Sequence, residues 1–170
     1  MIKKKICLVG AFAVGKTSLV QRYVYSIFSE KYLTTVGVKV DKKQVHVDGR
    51  TVDLIIWDLH GEDEFQSVRM SYLRGASGCI YVADGTRPAT LTVALDLQKQ
   101  AEEAIGRVPS ILAVNKCDLE SQWEPDMHKI DQWVARGLSV IHTSAKTGQS
   151  VEPAFHLLVK QMMENPGNAS

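Results

Sequence analysis

The chain has 170 residues, of which 45% are hydrophobic and 23% are charged, and its formal net charge is +1. That length suits one globular domain with a substantial core and is too short for two. The nearly neutral charge excludes a global basic field for nucleic acid, and no apolar run is long enough for a transmembrane helix or a secretory signal. We therefore expect a cytoplasmic protein whose three cysteines stay reduced.

Strand patterns and helix patterns alternate along the chain. Residues 6–9 predict a buried strand and residues 17–24 a helix. Residues 38–47 and 51–57 predict the two arms of a hairpin around Asp48-Gly49. Beyond the hairpin, strands are predicted at 79–83, 110–114 and 138–142, and helices at 90–105, 127–136 and 151–163.

This order of elements predicts an α/β fold. Strands that are followed by helices form parallel sheets covered on both faces, so we expect three layers, α/β/α, around a six-stranded, mostly parallel sheet. The first arm of the hairpin is less apolar than the second and is expected to be an antiparallel edge strand. Residues 1–164 are expected to form a single domain and residues 165–170 a flexible tail.

A glycine-rich turn joins the first predicted strand to the first helix. It fits the phosphate-loop pattern of Gly, four residues, then Gly-Lys-Ser/Thr, which is typical of P-loop NTPases. Such a loop lets backbone N–H groups and a helix N-terminus face a polyphosphate, with Lys16 on the terminal phosphates and the Thr17 hydroxyl on Mg²⁺. The alternative is an ordinary glycine-containing turn. The predicted phosphate-binding residues are Gly10, Ala11, Phe12, Ala13, Val14, Gly15, Lys16, Thr17 and Ser18.

Two further motifs follow predicted strands on the same rim of the sheet. They are Asn115-Lys116-Cys117-Asp118 and Ser144-Ala145-Lys146, and both match motifs of guanine-nucleotide-binding proteins. The Asp118 carboxylate can accept hydrogen bonds from the N1–H and the 2-amino group of guanine, a donor pair that adenine lacks. The resemblance implies that Asn115 braces the loop, that Lys116 lies over the base, and that the Ala145 N–H meets the guanine carbonyl oxygen.

From the first strand to the final helix the chain resembles a Ras-superfamily small GTPase, most closely of the Rab branch. The resemblance is carried by the phosphate loop, the two guanine motifs, Asp58-Leu59-His60-Gly61, and residues 35–38, 47–50 and 71–76. It implies a switch that binds GTP or GDP with Mg²⁺ and hydrolyses GTP. Two loops, at about 28–38 and 59–73, would hold a partner-binding shape only in the GTP state.

The resemblance also implies roles for single residues outside the phosphate loop and the guanine motifs. Thr35 would close over Mg²⁺ when the γ-phosphate is present, Asp58 would hold Mg²⁺ through water, and the Gly61 N–H would meet the γ-phosphate. Phe28 would pack edge-on against guanine, the alternative being an ordinary hydrophobic anchor for its loop. With Glu62, the predicted catalytic set is Lys16, Thr35, Gly61 and Glu62.

Two residues depart from the family where hydrolysis is controlled. Glu62 stands where the family has the Gln that orients the attacking water, so we expect a slow GTPase unless Glu62 acts as a base. Phe12 stands where Ras has Gly and would crowd the entry of a partner's arginine. The alternatives are a GTP-bound scaffold with negligible hydrolysis and a small-molecule kinase, against which the guanine motifs argue.

The expected partners are effector proteins that read the two switch loops, with GTPase-activating proteins and exchange factors, and the default state is a monomer. No cysteine follows Cys117, and residue 2 is Ile, so we expect no lipid anchor in this chain. Either a tail lies beyond this sequence, or the protein belongs to a non-lipidated group such as the prokaryotic Ras-like GTPases.

Overall fold

The computed structural model describes residues 2–28, 38–59 and 70–164. Within them, six strands form one sheet in the order β2-β3-β1-β4-β5-β6. All neighbouring strands are parallel except β2 and β3, which form the antiparallel hairpin. The strands are β1 (Ile2–Gly10), β2 (Val38–Val47), β3 (Arg50–Leu59), β4 (Gly78–Asp84), β5 (Ser110–Asn115) and β6 (Ser139–His142). The predicted α/β class, the mostly parallel sheet and the antiparallel edge strand are therefore confirmed.

Helices cover both faces of the sheet and enclose two hydrophobic clusters. The helices are α1 (Lys16–Tyr25), α2 (Ala89–Ile105), α3 (Met127–Ala135) and α4 (Val151–Glu164), with short 3-10 helices at Met70–Leu73 and Glu120–Gln122. Helices α1 and α4 line one cluster, in which the rings of Tyr23 and Phe155 stack at 3.9 Å. Helices α2 and α3 line the other, in which Tyr81 meets Trp133 edge-on at 5.6 Å. Burying side chains of this size contributes about 1.5–3 kcal/mol each.

Burial along the strands explains which of them are interior. Every residue of β4 and β5 is buried, because both faces of these strands carry helices. From Val40 onward, strand β2 alternates between exposed positions and positions that are partly or fully buried, as an edge strand does. The hairpin turn has positive φ at both Asp48 (49°) and Gly49 (75°), the conformation that a tight two-residue hairpin turn requires.

The first strand is longer than the sequence predicts. We expected residues 6–9, yet β1 begins at Ile2 and pairs with β3 from Ile2 opposite Val52 onward. Of the three lysines in this part of the strand, Lys5 has side-chain contacts with two other segments. The Lys5 ammonium lies 3.8 Å from the centroid of the Trp57 ring and donates to the Tyr72 carbonyl at 2.6 Å.

Among these residues, no helix combines the length and the apolar character that a membrane crossing needs. The predicted tail, residues 165–170, lies outside the described residues.

Candidate functional site

The carboxyl ends of the parallel strands bring the predicted motifs to one rim of the sheet. Strand β1 lies between β3 and β4, and β4 pairs with β5, so the segments that follow these strands are neighbours. The register places Leu8 opposite Asp58 and Asp84 opposite Asn115. The phosphate loop and the first guanine motif are thus adjacent, although about 100 residues separate them in sequence.

Side chains hold each backbone carbonyl of the phosphate loop from residue 10 to residue 14. Lys16 Nζ donates to the first two at 3.2 and 3.0 Å. Arg87 Nη2 donates to the third at 2.9 Å, Lys116 Nζ to the fourth at 3.0 Å, and Asn115 Nδ2 to the fifth at 3.0 Å. In a trans peptide the N–H points away from the C=O. Arg87, Lys116 and Asn115 bind the carbonyls of residues 12–14. The N–H groups of residues 13–15, which lie in the same peptide units, therefore point away from these three side chains.

Glycine and positive φ are needed at particular points of this loop. Gly15 has a φ of 100°, and a Cβ there would lie 2.3 Å from Asn115 Nδ2. A Cβ on Gly10 would lie 2.4 Å from the Val82 carbonyl oxygen of β4. Ala13 has a φ of 64°, a left-handed conformation that costs a residue with a Cβ about 1–2 kcal/mol. The loop is close-packed and locally strained.

Lys16 is the buried cation of the loop. Only 6% of it is exposed. Burial lowers the pKa of Lys16 from 10.5 to about 8, the Asp58 carboxylate acts in the opposite direction, and the Arg87 guanidinium lowers the pKa further. An anion placed beside Lys16 favours its charged form. The loop therefore offers backbone donors and a cation that is best stabilised by a bound anion.

Thr17 and Asp58 are the predicted metal-binding side chains within the described residues. The Thr17 hydroxyl donates to Asp58 Oδ2 at 2.5 Å, and Asp58 is fully buried at the end of β3. A hydroxyl and a carboxylate oxygen are the hard donors that Mg²⁺ prefers, and such sites use one or two protein oxygens with phosphates and water. The residues present fit Mg²⁺.

The two guanine motifs are bound directly to each other. The Ser144 hydroxyl donates to Asp118 Oδ1 at 2.7 Å. Asn115 Oδ1 accepts from the Thr143 hydroxyl at 3.1 Å and from the Ala145 N–H at 3.3 Å. With Asn115 Nδ2 on the phosphate loop, this one buried amide joins all three motifs.

Arg22 was missed by the sequence analysis. It lies on α1, where its Nε donates to the Ala145 carbonyl at 2.8 Å and its Nη2 donates to the Lys146 carbonyl. Helix α1 therefore braces the turn that carries the second guanine motif. Basic residues are common in the last turn of a helix, so nothing in the sequence around Arg22 indicated this contact.

Asp84 and Arg87 were also missed. Asp84 Oδ2 lies 2.8 Å from Lys116 Nζ and 3.1 Å from Arg87 Nε, and Asp84 Oδ1 accepts from the Thr86 N–H at 2.8 Å and from the Thr86 hydroxyl at 2.6 Å. Burial alone would raise the pKa of Asp84, but the hydrogen bonds from Lys116, Thr86 and Arg87 outweigh it and lower the pKa. The available signal was an Asp-Gly-Thr sequence that begins at the last residue of a fully buried strand.

Several predicted site residues lie outside the described residues. They are Thr35, Gly61 and Glu62, together with His60 of the same motif. Phe28 is described: it is partly buried and packs against the cluster that α1 and α4 line. The individual assignments of these residues stay predictions.

Comparison with known proteins gives one consistent result. A family model described as the Ras family matches residues 5–164. The Ras-related protein Rab-7L1 of Homo sapiens is 36% identical over 169 residues, which span 95% of this chain and 83% of that protein. The Ras-related protein RabG2 of Dictyostelium discoideum is 35% identical over 168 residues, with 95% and 83% covered. The Ras-related protein Rab-13 of Bos taurus is 30% identical over 165 residues, with 96% and 81% covered. This chain belongs to the Ras family and is a Rab-like small GTPase.

Proposed function

We propose that this chain is a guanine-nucleotide switch that binds GTP or GDP with Mg²⁺ and hydrolyses GTP slowly without an activating partner. One observation carries the proposal: Asn115 and Lys116, from the motif that would recognise the base, donate directly to carbonyls of the phosphate loop. A base site and a phosphate site joined in this way suit a nucleoside polyphosphate as a single ligand. A small-molecule kinase would not need the guanine motifs.

The chain's own residues act by positioning and electrostatics. Lys16 and the loop N–H groups hold the phosphates, and Asp118, fixed by Ser144, accepts from the guanine edge. Thr17 and Asp58 would hold Mg²⁺, which when bound neutralises charge on the phosphates. No covalent nucleophile is required, since water attacks the γ-phosphate in line.

The remaining predicted roles complete the proposal. Thr35 and Gly61 act on the γ-phosphate side, and Phe28 contacts the base. Effectors, activating proteins and exchange factors read the loops at about 28–38 and 59–73. Residues 1–164 form the single domain that carries all of these sites.

Glu62 sets the rate of hydrolysis in this proposal. A carboxylate at that position cannot donate to the γ-phosphate as an amide does, and it adds negative charge beside a triphosphate. We expect single-turnover hydrolysis with Mg²⁺ at or below about 10⁻⁴ s⁻¹, the scale of unassisted Ras-type enzymes. Glu62→Gln should raise that rate on the order of tenfold, the effect of about one hydrogen bond in the transition state.

The matched control is Glu64→Gln, which makes the same change of charge two residues away and should leave the rate within about twofold of wild type. Chromatography of the nucleotide released from the purified protein identifies the bound base. A protein that releases GTP unchanged, with neither variant turning over, would be a GTP-bound scaffold. A wild-type rate far above the Ras scale would contradict the slow-GTPase proposal and indicate Glu62 as a base.

A further inference from the structure

Two cations that share one buried carboxylate reach consecutive carbonyls of the phosphate loop. Asp84 is 1% exposed and pairs with both Lys116 and Arg87. Lys116 continues to the Ala13 carbonyl at 3.0 Å, and Arg87 continues to the Phe12 carbonyl at 2.9 Å. The three side chains, Asp84, Arg87 and Lys116, form what we call the Asp84 clamp.

The two cations of the Asp84 clamp bind the carbonyls next to Ala13, the strained residue of the loop. Ala13 has a φ of 64°, and the Phe12 and Ala13 carbonyls belong to the peptide units on either side of it. Holding both carbonyls fixes both peptide planes, and therefore keeps Ala13 in a conformation that an alanine otherwise leaves. The Phe12 carbonyl and the Ala13 N–H lie in the same trans peptide and point in opposite directions.

We propose that Arg87 is a positioning residue that aims the Ala13 N–H at the phosphates of the bound nucleotide. The inference rests on the proposed function, since it concerns how the same site holds its ligand. Among the described contacts, Arg87 reaches the phosphate loop through Phe12 and meets the guanine motif only indirectly, through Asp84, whereas Lys116 belongs to the guanine motif itself. Loss of Arg87 should therefore weaken the hold on the phosphates and leave base selection intact.

A purely structural role for Arg87 fits the contacts less well. Asp84 has hydrogen bonds from Lys116 and from two groups of Thr86 in addition to its contact with Arg87. The Arg87 side chain is 45% exposed, so it adds little to the core. Its bond to Phe12 joins segments 75 residues apart, and that bond ends on the loop that would face the ligand.

The test compares Arg87→Met with Arg107→Met. Arg107 also donates to a backbone carbonyl, that of Arg136, at 2.7 Å, but it lies between α2 and β5, and its contact within the described residues is not with the phosphate loop. The probe is GDP labelled on the ribose with a fluorophore, and the readout is its rate of release with Mg²⁺ present and unlabelled GDP in excess. We expect Arg87→Met to release it about tenfold faster, which corresponds to about 1.4 kcal/mol. Arg107→Met should stay within about twofold of wild type.

Two further readouts separate positioning from general destabilisation. The first is base selection: the preference for GDP over IDP, which lacks the 2-amino group, should be unchanged in Arg87→Met. The second is rescue. Glycine adopts positive φ freely, so in an Ala13→Gly background the effect of Arg87→Met should fall from about tenfold to about threefold or less.

Each outcome bears on the proposal. Three outcomes would overturn the proposal for Arg87 and leave the proposed function standing. They are a GDP release rate of Arg87→Met within about twofold of wild type, an equal effect of Arg87→Met in the wild-type and Ala13→Gly backgrounds, and a loss of the preference for GDP over IDP. A wild-type protein that binds no guanine nucleotide overturns the proposed function and this inference together. If Arg87→Met does not fold, Arg87→Lys serves instead, because it keeps the charge without the two-pronged geometry. It should release GDP about threefold faster, and an unchanged rate would overturn the proposal.

Discussion

Lys16 makes the stability of the nucleotide-free protein depend on pH. Burial lowers the pKa of Lys16 to about 8 in the folded chain, against 10.5 for an ordinary lysine. Between those pH values the unfolded state binds more protons than the folded state, so the free energy of unfolding rises with pH. A pKa difference of this size corresponds to about 3 kcal/mol gained between pH 8 and pH 10.5. Below pH 8 both states are protonated, and Lys16 contributes no slope.

The assay is urea unfolding of the protein stripped of nucleotide with EDTA and phosphatase, at intervals from pH 7 to pH 10.5. Cysteines, tyrosines and other lysines titrate in the same range, so the measured quantity is the difference between wild type and Lys16→Met. That variant also loses the hydrogen bonds to the Gly10 and Ala11 carbonyls, but this loss changes its free energy of unfolding by the same amount at every pH. We expect the difference to move in favour of wild type by about 3 kcal/mol across the range. A difference that changes by less than about 1 kcal/mol, or moves the other way, would refute the reasoning.

The same titration couples binding to protons. A polyphosphate beside Lys16 favours its charged form, so above pH 8 the protein must take up a proton when nucleotide binds. Lys16 should therefore make nucleotide affinity fall by up to about tenfold per pH unit above pH 8. Calorimetry in two buffers of different ionisation enthalpy measures that proton uptake directly.

Two further substitutions test the geometry of the site. Gly15→Ala should lower the free energy of unfolding by at least about 2 kcal/mol in urea, because φ is 100° and the new Cβ would meet Asn115 Nδ2 at 2.3 Å; an unfolding midpoint equal to wild type would contradict this. Ser144→Ala removes the donor that fixes Asp118, so the preference for GDP over IDP should fall about fivefold in a competition assay, with the melting temperature of the nucleotide-free protein as the control.

Local pattern was enough to predict most of the fold. The hydrophobic periodicity, with glycine and proline at the ends of elements, predicted six strands and four helices. The described part of the structure confirms them within a few residues. The predicted start of β1 was wrong, because three consecutive lysines are typical of a solvated segment. Lys5 is nevertheless accommodated, since its ammonium reaches the Trp57 ring and two carbonyls of a segment about 70 residues away.

Motifs predicted the segments of the site, but not the contacts that fix them. The phosphate loop and the two guanine motifs carry fixed spacing, which a sequence displays directly. Asp84 carries none, because it acts through its ion pairs with Arg87 and Lys116. Arg87 and Arg22 carry none either, because each acts on a backbone carbonyl far away in sequence. Any residue type offers that carbonyl, so no pattern of side chains points to it. Their roles become visible only when the sheet brings β1, β4 and β5 side by side.

Both edges of the sheet discourage pairing with a second copy of the chain. Strand β6 has only four residues. Strand β2 is long, but lysines at 39, 42 and 43 line it, and its Asp41 carboxylate points inward, where it accepts from the Tyr25 hydroxyl at 2.6 Å. Short edges, edge lysines and inward-facing charges are the devices by which sheets avoid extending into fibrils. We therefore expect neither edge strand to pair with a strand of another molecule, and concentrated protein should stay free of intermolecular β-structure.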